Sequence, residues 1–163
     1  LEEILLLVIS PLTPAHRQWL EEEAQRIFNG NVVVSRGVAH EVLTLPGFMA
    51  EESSVPVGVA VYNLVGNQCE LVSIDAFRQW RGIGSALIDA VEGAARQNGA
   101  QRLWLITTND NVDAMRFYQK RGFKMKAVYP GSLNESRKIK PQIPLLGNYG
   151  IPISDEVELE KIL

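Results

Sequence analysis

The stretch CELVSIDAFRQWRGIGSALIDAVEGAARQNG, residues 69–99, constrains the fold more than any other part of the chain. Its first half alternates like a strand. Its second half places Leu87, Ile88, Val91, Ala94 and Ala95 on one helical face before Asn98-Gly99 stops the helix. Gly82 and Gly84 remove two β-carbons at the junction, and the N–H groups of Arg81 to Ser85 converge at a helix N-terminus. The arrangement outlines a cradle for a pyrophosphate. A glycine turn used only for packing is the other reading, which a GxG alone favours. Leu87 stands at the last glycine position of G-x-G-x-x-G and no Lys-Ser or Lys-Thr pair follows, so neither the dinucleotide fingerprint nor the Walker loop fits.

The remainder of the chain alternates strand and helix signals. EEILLLVIS is too short an apolar run for a membrane span and reads as a first strand. Thr13-Pro14 starts a helix with Trp19, Leu20, Ile27 and Phe28 on its buried face, stopped by Asn29-Gly30. Residues 31 to 46 fit no single template. Strand patterns resume near Phe48 to Glu51, then in VPVGVAVYNLV, which Val65-Gly66-Asn67 turns antiparallel into QCELVSIDAF. RLWLIT is a short strand, Val112 to Arg121 a helix ended by Gly122, and Phe123 opens another strand. Residues 130 to 154 carry Pro130, Pro141, Pro144 and Pro152 and read as a long irregular segment kept for function. EVELEKIL closes the pattern as a last strand.

With 163 residues, 46% of them hydrophobic and 21% charged, the chain fits one domain over residues 1–163. A formal net charge of -3, with RKIK as its only basic run, argues against a phosphate-contacting nucleic-acid binder, and nothing suggests a membrane partner. The single cysteine, Cys69, cannot form an internal disulfide, which points to the cytoplasm, and its apolar strand context makes it core.

One strand after the glycine turn comes NVDAMRFYQKRGF, residues 111–123. The two motifs together resemble the GNAT N-acetyltransferase superfamily, whose signature is Q/R-x-x-G-x-G/A followed by N-x-x-A-x-x-F/L-Y-x-x-x-G-F. Gln79, Gly82 and Gly84 match the first part; Asn111, Ala114, Phe117, Tyr118, Gly122 and Phe123 match the second. The resemblance covers residues 55 to 129. CELVSID, LWLITTNDN and GIPISDEVELE further resemble a bacterial subgroup of small GNAT proteins whose acceptor the sequence does not name.

The resemblance implies an α/β GNAT fold: a mixed, mostly antiparallel sheet of six or seven strands, flanked by about four helices and splayed between its fourth and fifth strands. It implies acetyl-CoA as co-substrate, no metal, and a small-molecule or peptide amine as acceptor, with homodimer formation left open. Main-chain groups of Ile74 and Ala76 would hold the acetyl and pantetheine parts. N–H groups of Arg81, Gly82, Ile83, Gly84 and Ser85 would hold the pyrophosphate, with Gln79 and Asn111 completing the set. Trp80 and Ala76 depart from the usual residues without removing an N–H donor.

An amine of pKa about 10 must lose a proton before attacking a thioester, and the departing thiolate gains from a donor. Tyr118 lies seven residues after Asn111 on one helical face, and its family position assigns it the donor role, against the alternative of a core tyrosine beside Phe117. Glu70 is the candidate base. Strand alternation puts it on one face with Val72 and Ile74, opposite Cys69, Leu71, Ser73 and Asp75. Gln68 stands where some family members carry the basic glutamate, a solvated or paired Glu70 is the competing reading, and Asp75 is a brace for the loop. His16 and His40 lack ligand spacing, and no G-x-S-x-G elbow is present. Cys69, facing away from Glu70, disfavours an acetyl-enzyme, so direct transfer in a ternary complex is expected. A non-catalytic acyl-CoA sensor or interaction domain is the alternative. Residues 130 to 154 are expected to fold over the amine end and present Tyr129, Asn134, Arg137 or Tyr149.

Overall fold

Thr13 caps the first helix as its sequence predicts: its hydroxyl accepts from the His16 N–H at 3.1 Å, and the His16 ring accepts back from the Thr13 N–H at 3.1 Å. A computed structural model describes residues 6–78 and 82–163, so Gln79, Trp80 and Arg81 of the glycine turn and the first five residues lie outside the described residues. The elements in chain order are β1 (Leu7–Pro11), α1 (Pro14–Phe28), β2 (Val32–Ser35), β3 (Val38–Glu41), β4 (Gly47–Glu52), β5 (Val55–Val65), β6 (Gln68–Ala76) and α2 (Ile83–Gln97). β7 (Arg102–Thr108), α3 (Val112–Lys120), β8 (Lys124–Tyr129), α4 (Ser132–Ile139) and β9 (Glu156–Ile162) follow.

Seven strands form one sheet in the order β1-β4-β5-β6-β7-β9-β8, and β2-β3 is a separate hairpin. Among the described residues, all pairings in this sheet are antiparallel except β6 with β7. This is the expected mixed sheet with its four helices, and the parallel pair joins its fourth and fifth members. A parallel neighbour needs a crossover, which α2 supplies.

Each face of the sheet has its own core. On one, Leu87, Ile88 and Val91 of α2 pack with Leu71, Leu103, Leu105 and Leu159, all buried. On the other, Leu20, Ala24 and Phe28 of α1 meet Met49, Val59, Val61 and Val72. Among the described residues no helix is long and apolar enough to cross a membrane.

One expectation needs correction. Residues 130 to 154 are not irregular throughout, because α4 occupies Ser132–Ile139. Residues 31 to 46, which match no single sequence template, contain a hairpin whose two turn residues, Arg36 (φ 49) and Gly37 (φ 74), both take the left-handed conformation that a tight hairpin turn requires. The Glu156 carboxylate holds that turn, accepting from the Arg36 N–H at 3.0 Å and its guanidinium at 3.2 Å. The Lys140 ammonium, buried at the end of α4, donates to the carbonyls of Phe28 (2.8 Å) and Val32 (2.6 Å), tying α4 to α1 and β2.

Candidate active site

β6 and β7 are paired at only three positions, Gln68↔Arg102, Cys69↔Leu103 and Glu70↔Trp104. Beyond Glu70 the two strands continue without pairing, while β6 stays bonded to β5 as far as Ala76 and β7 to β9 as far as Thr108. A wedge therefore opens in the middle of the sheet, with Glu70 at its apex. Backbone groups along an unpaired strand edge need other partners, which makes such an edge a place for a ligand.

A bulge lies just past the apex. Val61 pairs with Ser73 and Tyr62 with Leu71, so Val72 is an extra residue in β6. It shifts the alternation: Cys69, Leu71 and Ile74 pack on the α2 side, whereas Val72 and Phe77 pack on the α1 side. The expectation that Glu70 shares a face with Ile74 is thus corrected, because parity counted through residue 72 fails at a bulge. Glu70 instead faces the α1 side.

The open end of the wedge leads to the start of α2. Gly82 caps that helix at φ 72, a conformation that glycine adopts without strain, and Ala86 is bonded to the Gly82 carbonyl at 3.0 Å. The N–H groups of Ile83, Gly84 and Ser85 precede the first intrahelical bond and point outward, adding to the positive end of the helix dipole. At Gly84, an added β-carbon would come within 3.0 Å of the Phe117 ring, so this glycine lets α3 approach α2. Arg121, at the end of α3, lies over the same ring at 3.6 Å and donates through Nε to the Ser85 hydroxyl at 2.7 Å. A guanidinium therefore stands beside the helix N-terminus.

α3 brings in the second motif. Asn111 donates to the Thr107 hydroxyl at 3.2 Å. Tyr118 is 8% exposed, edge-on to Phe117 and Phe123 with ring centroids 5.5 and 5.7 Å away. Burial and, secondarily, the negative charge of Asp75 push its phenol well above the ordinary tyrosine value, so the proton stays on oxygen. Asp75 itself is pushed up to about 6 by burial, against the pull of its hydrogen bond from Ser73 (3.1 Å) and of Arg26. Asp75 on the unpaired half of β6 and Tyr118 on α3 are close enough to act on each other.

At the apex, Glu70 is 6% exposed and accepts a 2.5 Å hydrogen bond from Ser35 of β2. Burial pushes its carboxyl up to about 6; the Ser35 bond opposes this, and the charges of Glu156 and Glu158 add to it. Nε2 of His40 on β3 lies 3.5 Å from Glu70 Oε2, too far for a hydrogen bond, and has no partner although His40 is 8% exposed. Burial lowers the pKa of that imidazole, keeping it neutral. A cavity of about 430 Å³ opens onto Glu70 and His40.

A family model described as the acetyltransferase (GNAT) family matches residues 11–123, which include the wedge, the glycine turn and α3. The chain belongs to the GNAT acetyltransferase family. Among its relatives is the uncharacterized protein YdhI of Bacillus subtilis (strain 168), 43% identical over 120 residues, or 73% of this chain and 75% of that protein. The fold is shared with the IAA acetyltransferase from Bacillus cereus ATCC 14579, at 20% identity and a TM-score of 0.76, covering 97% of this chain and 100% of that one. It is shared as well with a GNAT family acetyltransferase from Elizabethkingia anophelis with acetyl-CoA bound, at 18% identity and a TM-score of 0.69, covering 96% and 98% of the two chains.

Within this GNAT fold, Glu70, Ile74 and Ala76 lie along one strand and Gly82, Ile83, Gly84 and Ser85 at the following helix start, with Asn111 and Tyr118 on α3. Gln79 and Arg81 fall outside the described residues. Three further residues carry little signal in the sequence: Arg121, marked only as a basic residue before Gly122, and Ser35 and His40, in the stretch without a clear template. Arg137 is not free to meet an acceptor, because it donates to the carbonyls of Pro144 (2.8 Å) and Ile153 (2.6 Å) and so holds the proline-rich tail. Asn109 and Asp110 hold the same tail, accepting from the N–H groups of Ser154 (3.0 Å) and Asn148 (2.9 Å). Tyr149 is engaged with Asp113 at 2.6 Å and Tyr129 with Glu158 at 2.8 Å. The wall beside Glu70 is built by the β2-β3 hairpin instead. Cys69 is fully buried, with its thiol pushed up to about 12 by burial.

Proposed function

We propose that this chain, as a single domain over residues 1–163 and in the cytoplasm, transfers the acetyl group of acetyl-CoA directly to an amine. The observation that carries the reading is the wedge between β6 and β7, closed at Glu70 and open toward the start of α2. Main-chain groups around Ile74 and Ala76 would hold the acyl and pantetheine portion. The helix start from Gly82 to Ser85, with Gln79 and Arg81 of the same turn, would hold the pyrophosphate, and Asn111 would meet the pantetheine arm. Arg121 adds a cation there. The thioester supplies an activated acyl carbon; the protein's part is to position it and manage protons.

Glu70, with a pKa near 6, is ionised at neutral pH yet basic enough to accept the proton of a bound ammonium. The freed amine forms the C–N bond, the C–S bond breaks with its electron pair going to sulfur, and the second proton of the former ammonium leaves the new amide nitrogen to solvent. Tyr118 hydrogen-bonds the thiolate as it forms. With its pKa raised, it stabilises that charge and leaves final protonation of CoA to solvent. No covalent acetyl-enzyme is required, and the un-ionised, buried Cys69 is a poor nucleophile for one.

Titration calorimetry with CoA, together with CoA release on adding amines, tests this reading. Arg121→Ala is expected to weaken CoA binding about tenfold, the scale of one charge-assisted contact. Unchanged CoA affinity in that variant removes Arg121 from the cradle, and a wild-type protein that binds no CoA sinks the proposal.

A further inference from the structure

The acetyl-transfer reading leaves the amine unspecified. The cavity beside Glu70 narrows the choice, an inference that rests on that reading. The carboxylates on this side of the sheet are mostly committed. Glu156 is bonded to the N–H and guanidinium of Arg36, Glu158 to Arg102 and the Tyr129 hydroxyl, and Glu160 to Arg102. Glu70 differs: among the described residues its hydrogen bond comes from the neutral Ser35 hydroxyl, with His40 beside it. One carboxylate with no cation bonded to it thus faces the cavity. His40, over nine-tenths buried, lines the same cavity, and its unpartnered Nε2 lies buried 3.5 Å from Glu70 Oε2. In the tautomer protonated at Nδ1 it is an acceptor, so two acceptors await the N–H groups of one ammonium.

The remaining walls carry no second carboxylate: Asn63, Asn67, Gln68 and Arg36, whose guanidinium is paired with Glu156, form the polar part, and Val38, Val65 and Trp104 the apolar part, with Val38 and Val65 55% and 67% exposed. The apolar part suits a hydrocarbon or aromatic body. A second ammonium on the same molecule would lie against these side chains with no carboxylate to pair with, at a desolvation cost.

We propose that the acceptor is a monoamine, a single primary ammonium on an apolar alkyl or aryl body, with its nitrogen between Glu70 and His40 and its body along Val38, Val65 and Trp104. Polyamines and peptide N-termini, with further charge or backbone polarity in the body, are disfavoured.

The test compares butylamine, hexylamine and phenethylamine with hexamethylenediamine and a short unblocked peptide, both in turnover with acetyl-CoA and in binding to the CoA-loaded protein by ligand-observed NMR. Hexylamine is expected to exceed hexamethylenediamine at least tenfold in kcat/KM and in affinity. Each added methylene should contribute about fourfold as it enters the cavity. Val38→Glu, a change at the exposed rim, should narrow or reverse the gap by giving the diamine a second carboxylate. The proposal is overturned if the diamine or the peptide ranks first in binding, if chain length has no effect, or if no amine binds. If the monoamines bind as ranked but release no CoA, this inference stands and the acetyl-transfer reading fails instead.

Discussion

Replacing Glu70 with glutamine is expected to lower kcat/KM about a hundredfold or more at neutral pH, the usual loss when a positioned general base is removed. The wild-type value should fall tenfold per unit below about pH 6, because only the ionised carboxylate accepts a proton, and this acid limb should vanish in Glu70→Gln. The groups facing Glu70 are Ser35 and His40 from the hairpin and Glu156 and Glu158 from β9. Stability should move the other way. The folded-state pKa is raised from 4.5 to about 6, so the carboxyl favours the folded state below pH 4.5 and loses that contribution as pH rises through 6. At pH 7 its burial as an anion costs about 2 kcal/mol, from 1.36 kcal/mol per pKa unit. Glu70→Gln should therefore unfold at a higher denaturant concentration than wild type at pH 7, with the difference disappearing below pH 4.5. A variant with the wild-type pH profile, whatever its stability, would return Glu70 to a structural role.

For Tyr118→Phe a loss of 10²–10³ in kcat is predicted, with CoA affinity within about twofold of wild type, as when one donor to a developing anion is deleted. Phenylalanine keeps the edge-on packing against Phe117 and Phe123, so the fold should survive. Urea denaturation checks that point. An intact kcat with a large stability loss would make Tyr118 a core residue only.

Short-range patterns were legible in the sequence, whereas contacts between distant segments were not. The glycine turn and α3 could be read because cap, stop and spacing all fall within one or two elements, and the sheet followed from alternation in β5, β6 and β9. The bulge at Val72 could not: nothing in LVSID marks which residue is extra, since a bulge is set by the partner strand. The β2-β3 hairpin had a signal, Arg36-Gly37 between VVVS and VAHE, but an arginine in the left-handed conformation is held there by Glu156, 120 residues away. Helix α4 was hidden by flanking prolines and is anchored by Lys140 on carbonyls of α1 and β2. For the same reason Ser35 and His40 join the site only once the hairpin is docked.

Direct transfer between two substrates held at the β6-β7 wedge is most directly tested by rapid-quench mixing of enzyme with excess acetyl-CoA, first alone and then with hexylamine, reading released CoA and the intact protein mass. Without the amine, no CoA burst and an unmodified protein are predicted; with it, one N-acetylated amine should form per CoA released. A stoichiometric burst with an acetyl group on the protein, at Cys69 or elsewhere, would contradict direct transfer.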